Sequence, residues 1–120
     1  MGKILIADDS SFQRRILGDM VESLGHEVKA VESGLALLEA IDEEAYDCIC
    51  LDLLMPEMTG VEVLEKLRQR NNQTPVIVIS ADIQHKKKEQ CFELGAKAFI
   101  NKYIEKEDLE KEFNRQIKNR

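Results

Sequence analysis

Residues 48–60 read CICLDLLMPEMTG. The stretch opens as a strand buried on both faces does, with Cys48, Ile49, Cys50 and Leu51 in an unbroken apolar run. Asp52 stands at the end of that run, and Met55-Pro56 and Thr59-Gly60 follow. A carboxylate fixed to the end of an apolar strand is costly unless its charge is compensated. Pro56 cannot continue a ladder and biases Met55 toward extended geometry. Gly60 is expected to supply backbone angles that other residues resist. The segment therefore predicts a strand, a sharp turn after it, and a carboxylate presented at the strand's end.

The same pattern recurs along the chain. Short apolar runs lie at KILIA (3–7), EVKAV (27–31), PVIVIS (75–80) and AFI (98–100). Segments with helical spacing separate them. Phe12, Ile16, Met20 and Leu24 step by four, with Leu17 and Val21 beside them, and Gly25 offers a C-terminal stop. A second helix begins near Ser33-Gly34 and carries Leu35, Leu38 and Ile41. A third begins at Thr59, where Glu62 completes a capping-box pattern, with Val61, Leu64 and Leu67 as its stripe. A fourth runs from about Asp82 to Leu94 and stops at Gly95; the last carries Leu109, Phe113 and Ile117. Strands alternating with helices imply an α/β fold, a doubly wound five-stranded parallel sheet with five helices on both faces. EVKAV alternates apolar with polar and is expected at an edge. Nothing resembling a linker or repeat interrupts residues 1–120, so a single domain is expected.

Composition narrows the function classes. An apolar content of 43% with 33% charged residues fits a soluble globular chain. The net charge of −6 argues against a nucleic-acid groove or an anionic membrane surface as partner. No apolar run has signal-peptide or membrane-spanning length, so a cytoplasmic location is expected. Cys48, Cys50 and Cys91 are odd in number and sit in apolar contexts, which predicts buried free thiols. His26 and His85 match no zinc-ligand spacing and are expected to be solvated.

The polar residues fall at strand ends. KILIA runs into Asp8-Asp9, CICL into Asp52, PVIVI into Ser80, and AFI into Asn101-Lys102. In an open parallel sheet these ends share one edge, where ligands bind. Three carboxylates gathered there need a proton or a cation. Hard divalent cations prefer oxygen ligands, and Mg²⁺ commonly combines one or two carboxylates with waters and a phosphate. Acids, a hydroxyl and a lysine suit a phosphoryl group held between metal and ammonium.

The order Asp8-Asp9, Asp52 within DLLMPEMTG, Ser80-Ala81 and Lys102 resembles the receiver domain of two-component response regulators, most closely the single-domain chemotaxis type. The resemblance covers essentially the whole chain. It implies the flavodoxin-like strand order 2-1-3-4-5 and phosphoryl transfer from a sensor histidine kinase to Asp52. It implies Mg²⁺, or Mn²⁺, held by Asp9, Asp52 and the backbone carbonyl of Leu54, with Asp8 acting through water. Lys102 would pair with the phosphoryl oxygens. Ser80 would hydrogen-bond the phosphoryl group, and Phe99 would be the aromatic that turns inward when Ser80 moves. Ala81 is small and would leave the phosphoryl group accessible. Such a chain is a phosphoacceptor rather than an enzyme, though it assists its own phosphorylation and dephosphorylation. Aspartyl phosphates and phosphoryl transfer through positioning agree with a site lacking a general-base histidine.

Simpler roles exist for each residue alone. Asp8 or Asp9 could cap the first helix, Asp52 could serve the turn, Lys102 could be a surface lysine, and Phe99 could be plain core. HKKKEQ (85–90) reads as a solvated helix face or a docking patch. The family usually has proline after the lysine, but here Tyr103 follows. A cis bond there costs about 2.5–4 kcal/mol, so trans is expected. Leu54 and Asp82 occupy the positions thought to tune dephosphorylation, and apolar Leu54 implies slow to intermediate self-dephosphorylation or a partner phosphatase. With no DNA-binding segment after the fifth helix, output is expected through a downstream protein at the fourth helix, fifth strand and fifth helix. A phosphorelay intermediate, a phosphate sink and a piece of a longer regulator are alternatives. A Mg²⁺-dependent aspartyl phosphatase shares acids and lysine, but its nucleophile lies in a first-strand D-x-D. A flavin module shares the fold, but DDSSFQ (8–13) lacks a phosphate cradle.

Overall fold

The computed structural model describes residues 2–81 and 84–118. Strands and helices alternate as β1 (Lys3–Ala7), α1 (Ser11–Ser23), β2 (Glu27–Val31), α2 (Gly34–Glu43), β3 (Cys48–Asp52), α3 (Gly60–Gln69), β4 (Val76–Ser80), α4 (His85–Glu93), β5 (Ala98–Asn101) and α5 (Lys106–Lys118). The sheet is parallel throughout in the order β2-β1-β3-β4-β5. β3 and β4 are buried along their whole length, as their unbroken apolar runs require, and EVKAV lies at an edge with mostly exposed residues.

Strand alternation divides the core into two layers. Leu5, Ile49, Leu51 and Val78 face α2, α3 and α4, where Leu37, Leu64, Leu67 and Cys91 meet them. Ile4, Ile6, Cys48, Cys50 and Ile77 face α1 and α5, where Leu17, Val21, Leu109 and Phe113 meet them. All three cysteines are buried, as expected. Among the described residues no helix is long and apolar enough to cross a membrane.

The helix starts follow their caps. Ser10 and Ser33 accept from the backbone N–H groups of Gln13 and Ala36, and Thr59 and Glu62 form the expected capping box. Ser10, not Asp8 or Asp9, is thus the cap of α1. Gly25 and Gly95 end their helices with φ of 91° and 103°. The expected start of α4 at Asp82 lies outside the described residues.

Three expectations are corrected. Phe12 and Ile16 are 68% and 42% exposed, whereas Leu17 and Val21 are buried. A step of four residues overshoots a helical turn by about 40°, so a 12-16-20-24 row starts off the packed stripe and reaches it only at Met20 and Leu24, which pack half-buried on the core. Leu35 is likewise exposed, and Leu37 takes its place in the core. His26 is half-buried rather than solvated. Its Nδ1 accepts the N–H of Gly2 at 2.9 Å, and its ring stands edge-on to Phe113 at 5.0 Å. Burial lowers its pKa, helped by the nearby N-terminal charge and opposed by Asp47.

Candidate functional site

β3 ends on Asp52, and the loop beyond it returns at once. The Gly60 N–H donates to the Leu53 carbonyl at 3.0 Å, and Met58 N–H to that of Pro56 at 2.7 Å. The left-handed residue of this loop is Glu57, with φ of 68°, not Gly60. Gly60 is required for space: a Cβ there would lie 2.7 Å from Leu53 Cα and 2.8 Å from the Asp52 carbonyl oxygen. The turn is therefore closed by backbone approach, and it presses directly against the residue that carries the carboxylate.

Asp52 is 6% exposed. Its Oδ1 accepts the Leu54 N–H at 3.2 Å, and its Oδ2 lies 3.5 Å from Lys102 Nζ. Asp8, just past the end of β1, is held at four points, one of them its own N–H, which donates to the Val31 carbonyl at 3.2 Å. Oδ1 accepts the Ser10 N–H at 2.9 Å, Oδ2 accepts Lys102 Nζ at 3.1 Å, and its carbonyl accepts Arg14 Nη1 at 2.7 Å. Asp9 is exposed beside them. One carboxylate oxygen from each of Asp8, Asp9 and Asp52 lies within 4.8 Å of the others. Lys102 reaches them from the strand-end loop after β5, where its own N–H donates to the Ser80 carbonyl at 2.9 Å.

The electrostatics follow from burial and charge. Desolvation raises the Asp52 pKa, the Asp8 charge raises it further, and the Leu54 N–H and Lys102 only partly oppose them. For Lys102, desolvation alone would lower the pKa, but Asp52 and Asp8 together outweigh it and the net shift is upward. One ammonium thus faces three carboxylates, and the remaining negative charge makes an all-oxygen pocket for a hard divalent cation.

The structure therefore brings Asp8, Asp9, Asp52 and Lys102 together. Ser80 is fully buried at the end of β4, paired in register with Asn101. Leu54 is 57% exposed, with its backbone adjoining Asp52. Phe99 lies half-buried in β5, opposite Val78. The Lys102–Tyr103 peptide is cis, not trans as expected. Intrinsic preference speaks only for the isolated dipeptide, whereas Lys102 is tied by its N–H to β4 and by its ammonium to two buried acids. Asp82 lies outside the described residues. Arg14 was missed by sequence reasoning. Its signal is an anomaly, since a cation in the first turn of a helix opposes the macrodipole and needs a partner elsewhere.

A family model for the response regulator receiver domain matches residues 4–114. The chain belongs to that family. It is a signalling phosphoacceptor, and its acidic triad suits Mg²⁺-dependent phosphorylation from histidine kinases. The sensory/regulatory protein RpfC of Xanthomonas campestris is 38% identical over 106 residues, which cover 85% of this chain. The receiver spans only 15% of that relative's length. The Francisella response regulator 1452 receiver domain superposes with a TM-score of 0.93 at 28% identity, covering 99% of this chain and 98% of that one. The Vibrio cholerae chemotaxis protein CheY4 gives 0.90 at 28% identity, covering 97% and 98%.

Proposed function

We propose that this receiver takes a phosphoryl group from the phosphohistidine of a sensor histidine kinase onto Asp52. The observation that carries the reading is the convergence of three carboxylate oxygens within 4.8 Å, with the Lys102 ammonium 3.1 and 3.5 Å from Asp8 and Asp52. An Asp52 carboxylate oxygen attacks phosphorus, the phosphorus–nitrogen bond breaks, and the imidazole leaves with the electron pair. Asp9, Asp52 and the Leu54 carbonyl would hold Mg²⁺, with Asp8 acting through water. That ion supplies charge neutralisation for the phosphoryl oxygens. Lys102 moves from the carboxylates to the new phosphoryl oxygens, which carry roughly two negative charges.

Ser80 then hydrogen-bonds the phosphoryl group, and Phe99 turns inward behind it. The surface formed by α4, β5 and α5 changes and is read by a downstream protein. Similarity to CheY4 supports an output of the chemotaxis kind, in the cytoplasm. The exposed apolar side chain of Leu54 offers an attacking water no hydrogen bond, which favours a long-lived phosphoryl group removed by a partner phosphatase. The test is intact mass after incubation with acetyl phosphate, with and without Mg²⁺, beside Asp52→Asn. A single phosphoryl adduct that needs both Mg²⁺ and Asp52 is expected. An adduct on Asp52→Asn at the wild-type level would refute the assignment.

A further inference from the structure

α4 is the least anchored helix on its layer of the sheet. Its first turn is His85, Lys86, Lys87 and Lys88, which places cations where the helix dipole disfavours them. The N-cap Gln84 makes no side-chain capping hydrogen bond, and Cys91 is the one buried residue of the helix. Against that background one lysine has a specific partner. The ammonium of Lys88 lies over the ring of Phe99, 5.9 Å from its centroid. Phe99 is in turn paired with Val78, two residues before Ser80 on β4. The contact thus joins the N-terminal half of α4 to the strand pair that ends in Ser80 and Asn101, with Lys102 next in the chain.

We propose that Lys88 is a positioning residue for the switch: its ammonium clamps the Phe99 ring in the orientation of the unphosphorylated domain and so sets the resting balance between the two states. This rests on the reading of Phe99 as the aromatic that turns inward. A ring that turns inward leaves the ammonium behind, so the contact exists in one state only and biases the equilibrium toward it. Release of the ring also frees the first turn of α4, whose lysines oppose the dipole and lose their tether. An exposed cation–ring contact shifts such a balance by a factor of about 2–5.

The test uses ring-labelled phenylalanine in the full chain. Phe99 is assigned by Phe99→Leu, and its signal is followed with and without Mg²⁺ and beryllofluoride, an acyl-phosphate mimic. Phosphorylation rates with acetyl phosphate are measured in parallel. Lys88→Met should move the free-state Phe99 signal toward its beryllofluoride position and raise the phosphorylation rate about 2–5-fold. Lys88→Arg should restore both, because guanidinium also binds ring faces. Lys86→Met, which removes the same charge from the same turn, should change neither. In a Phe99→Leu background Lys88→Met should have no effect on rate. Equal effects of Lys86→Met and Lys88→Met, or no effect of Lys88→Met while the ring responds to beryllofluoride, overturn the clamp alone. A ring signal indifferent to beryllofluoride while Asp52 still phosphorylates overturns the switch reading, and the clamp with it.

Discussion

Asp52→Asn should stabilise the metal-free domain while abolishing phosphorylation. Asp52 has carboxylate neighbours within 4.8 Å on Asp8 and Asp9 and the Lys102 ammonium at 3.5 Å. At an effective dielectric constant near 20, the Asp8 repulsion at 4.8 Å or less is at least about 3.5 kcal/mol, and the Lys102 attraction at 3.5 Å is about 4.7 kcal/mol. Those two charges largely offset each other, and exposed Asp9 is screened by solvent. Burial of Asp52, the largest contribution, then decides the balance in favour of a neutral side chain. Asparagine keeps the oxygen that accepts the Leu54 N–H. A net gain of about 1–2 kcal/mol corresponds to a Tm rise on the order of 5 °C for a domain of this size. The assay is thermal unfolding at neutral pH in chelator and again in excess Mg²⁺. Mg²⁺ should raise the wild-type Tm by mass action and the Asn variant far less, shrinking or reversing the gap. A lower Tm for the variant in chelator, or an equal Mg²⁺ response, would refute the charge argument. The pH dependence has a definite sign. The folded-state pKa of Asp52 is raised, so the folded domain binds the extra proton in the window between the ordinary carboxylate range and that higher value. Wild type in chelator should therefore lose stability as pH rises through that window, and the Asn variant should lack this component.

Lys102→Met leaves Asp8 and Asp52 buried without their cation, a loss toward the lower end of the about 3–5 kcal/mol typical of broken buried pairs. Mg²⁺ should restore more stability to it than to wild type, as calorimetry in chelator and in Mg²⁺ will show. Gly60→Ala drives a methyl group into the Leu53 and Asp52 backbone and should cost at least about 1–3 kcal/mol, read by urea unfolding, with weaker Mg²⁺ binding. Arg14→Met frees the Asp8 carbonyl and should weaken Mg²⁺ binding severalfold with little change in urea midpoint. His26 has a lowered pKa, so its contribution is present above its unfolded-state value and is lost as pH falls through the folded one. Replacing it with Gln should flatten that acid limb of the stability profile.

The sheet and the site were legible in the same residues. A parallel sheet puts every strand end on one edge, so Asp8, Asp52, Ser80 and Lys102 converge once the strands are found. The apolar runs mark those strands without ambiguity. What escaped the sequence depends on three-dimensional closure. Gly60 looked like a conformational glycine, but its φ is unexceptional and the constraint is a neighbouring backbone visible only after α3 folds back onto β3. Phe12 and Ile16 fitted a four-residue step, yet the direction of the packed stripe is set by where Leu17 and Val21 meet the sheet. The cis peptide after Lys102 and the Arg14 bond to the Asp8 carbonyl join residues that local propensity treats as independent.

The burial gradient across the triad fits the different tasks proposed for its three acids. Asp8 is 3% exposed and fully engaged by Ser10 and Lys102, so its carboxylate has little freedom to act as a nucleophile. Asp9 is exposed and tied least to the protein's own cation, which leaves it available to an ion arriving from solvent. Asp52 lies between these limits. One oxygen is fixed by the Leu54 N–H, and the other touches an ammonium that has a second, closer partner in Asp8. Lys102 can therefore release Asp52 without being left uncompensated. A single divalent cation would bring three carboxylates and one ammonium to formal neutrality, and the site needs no second ion before it meets a phosphoryl donor. The proposed division of labour among three chemically identical groups thus rests on burial and on the reach of one lysine.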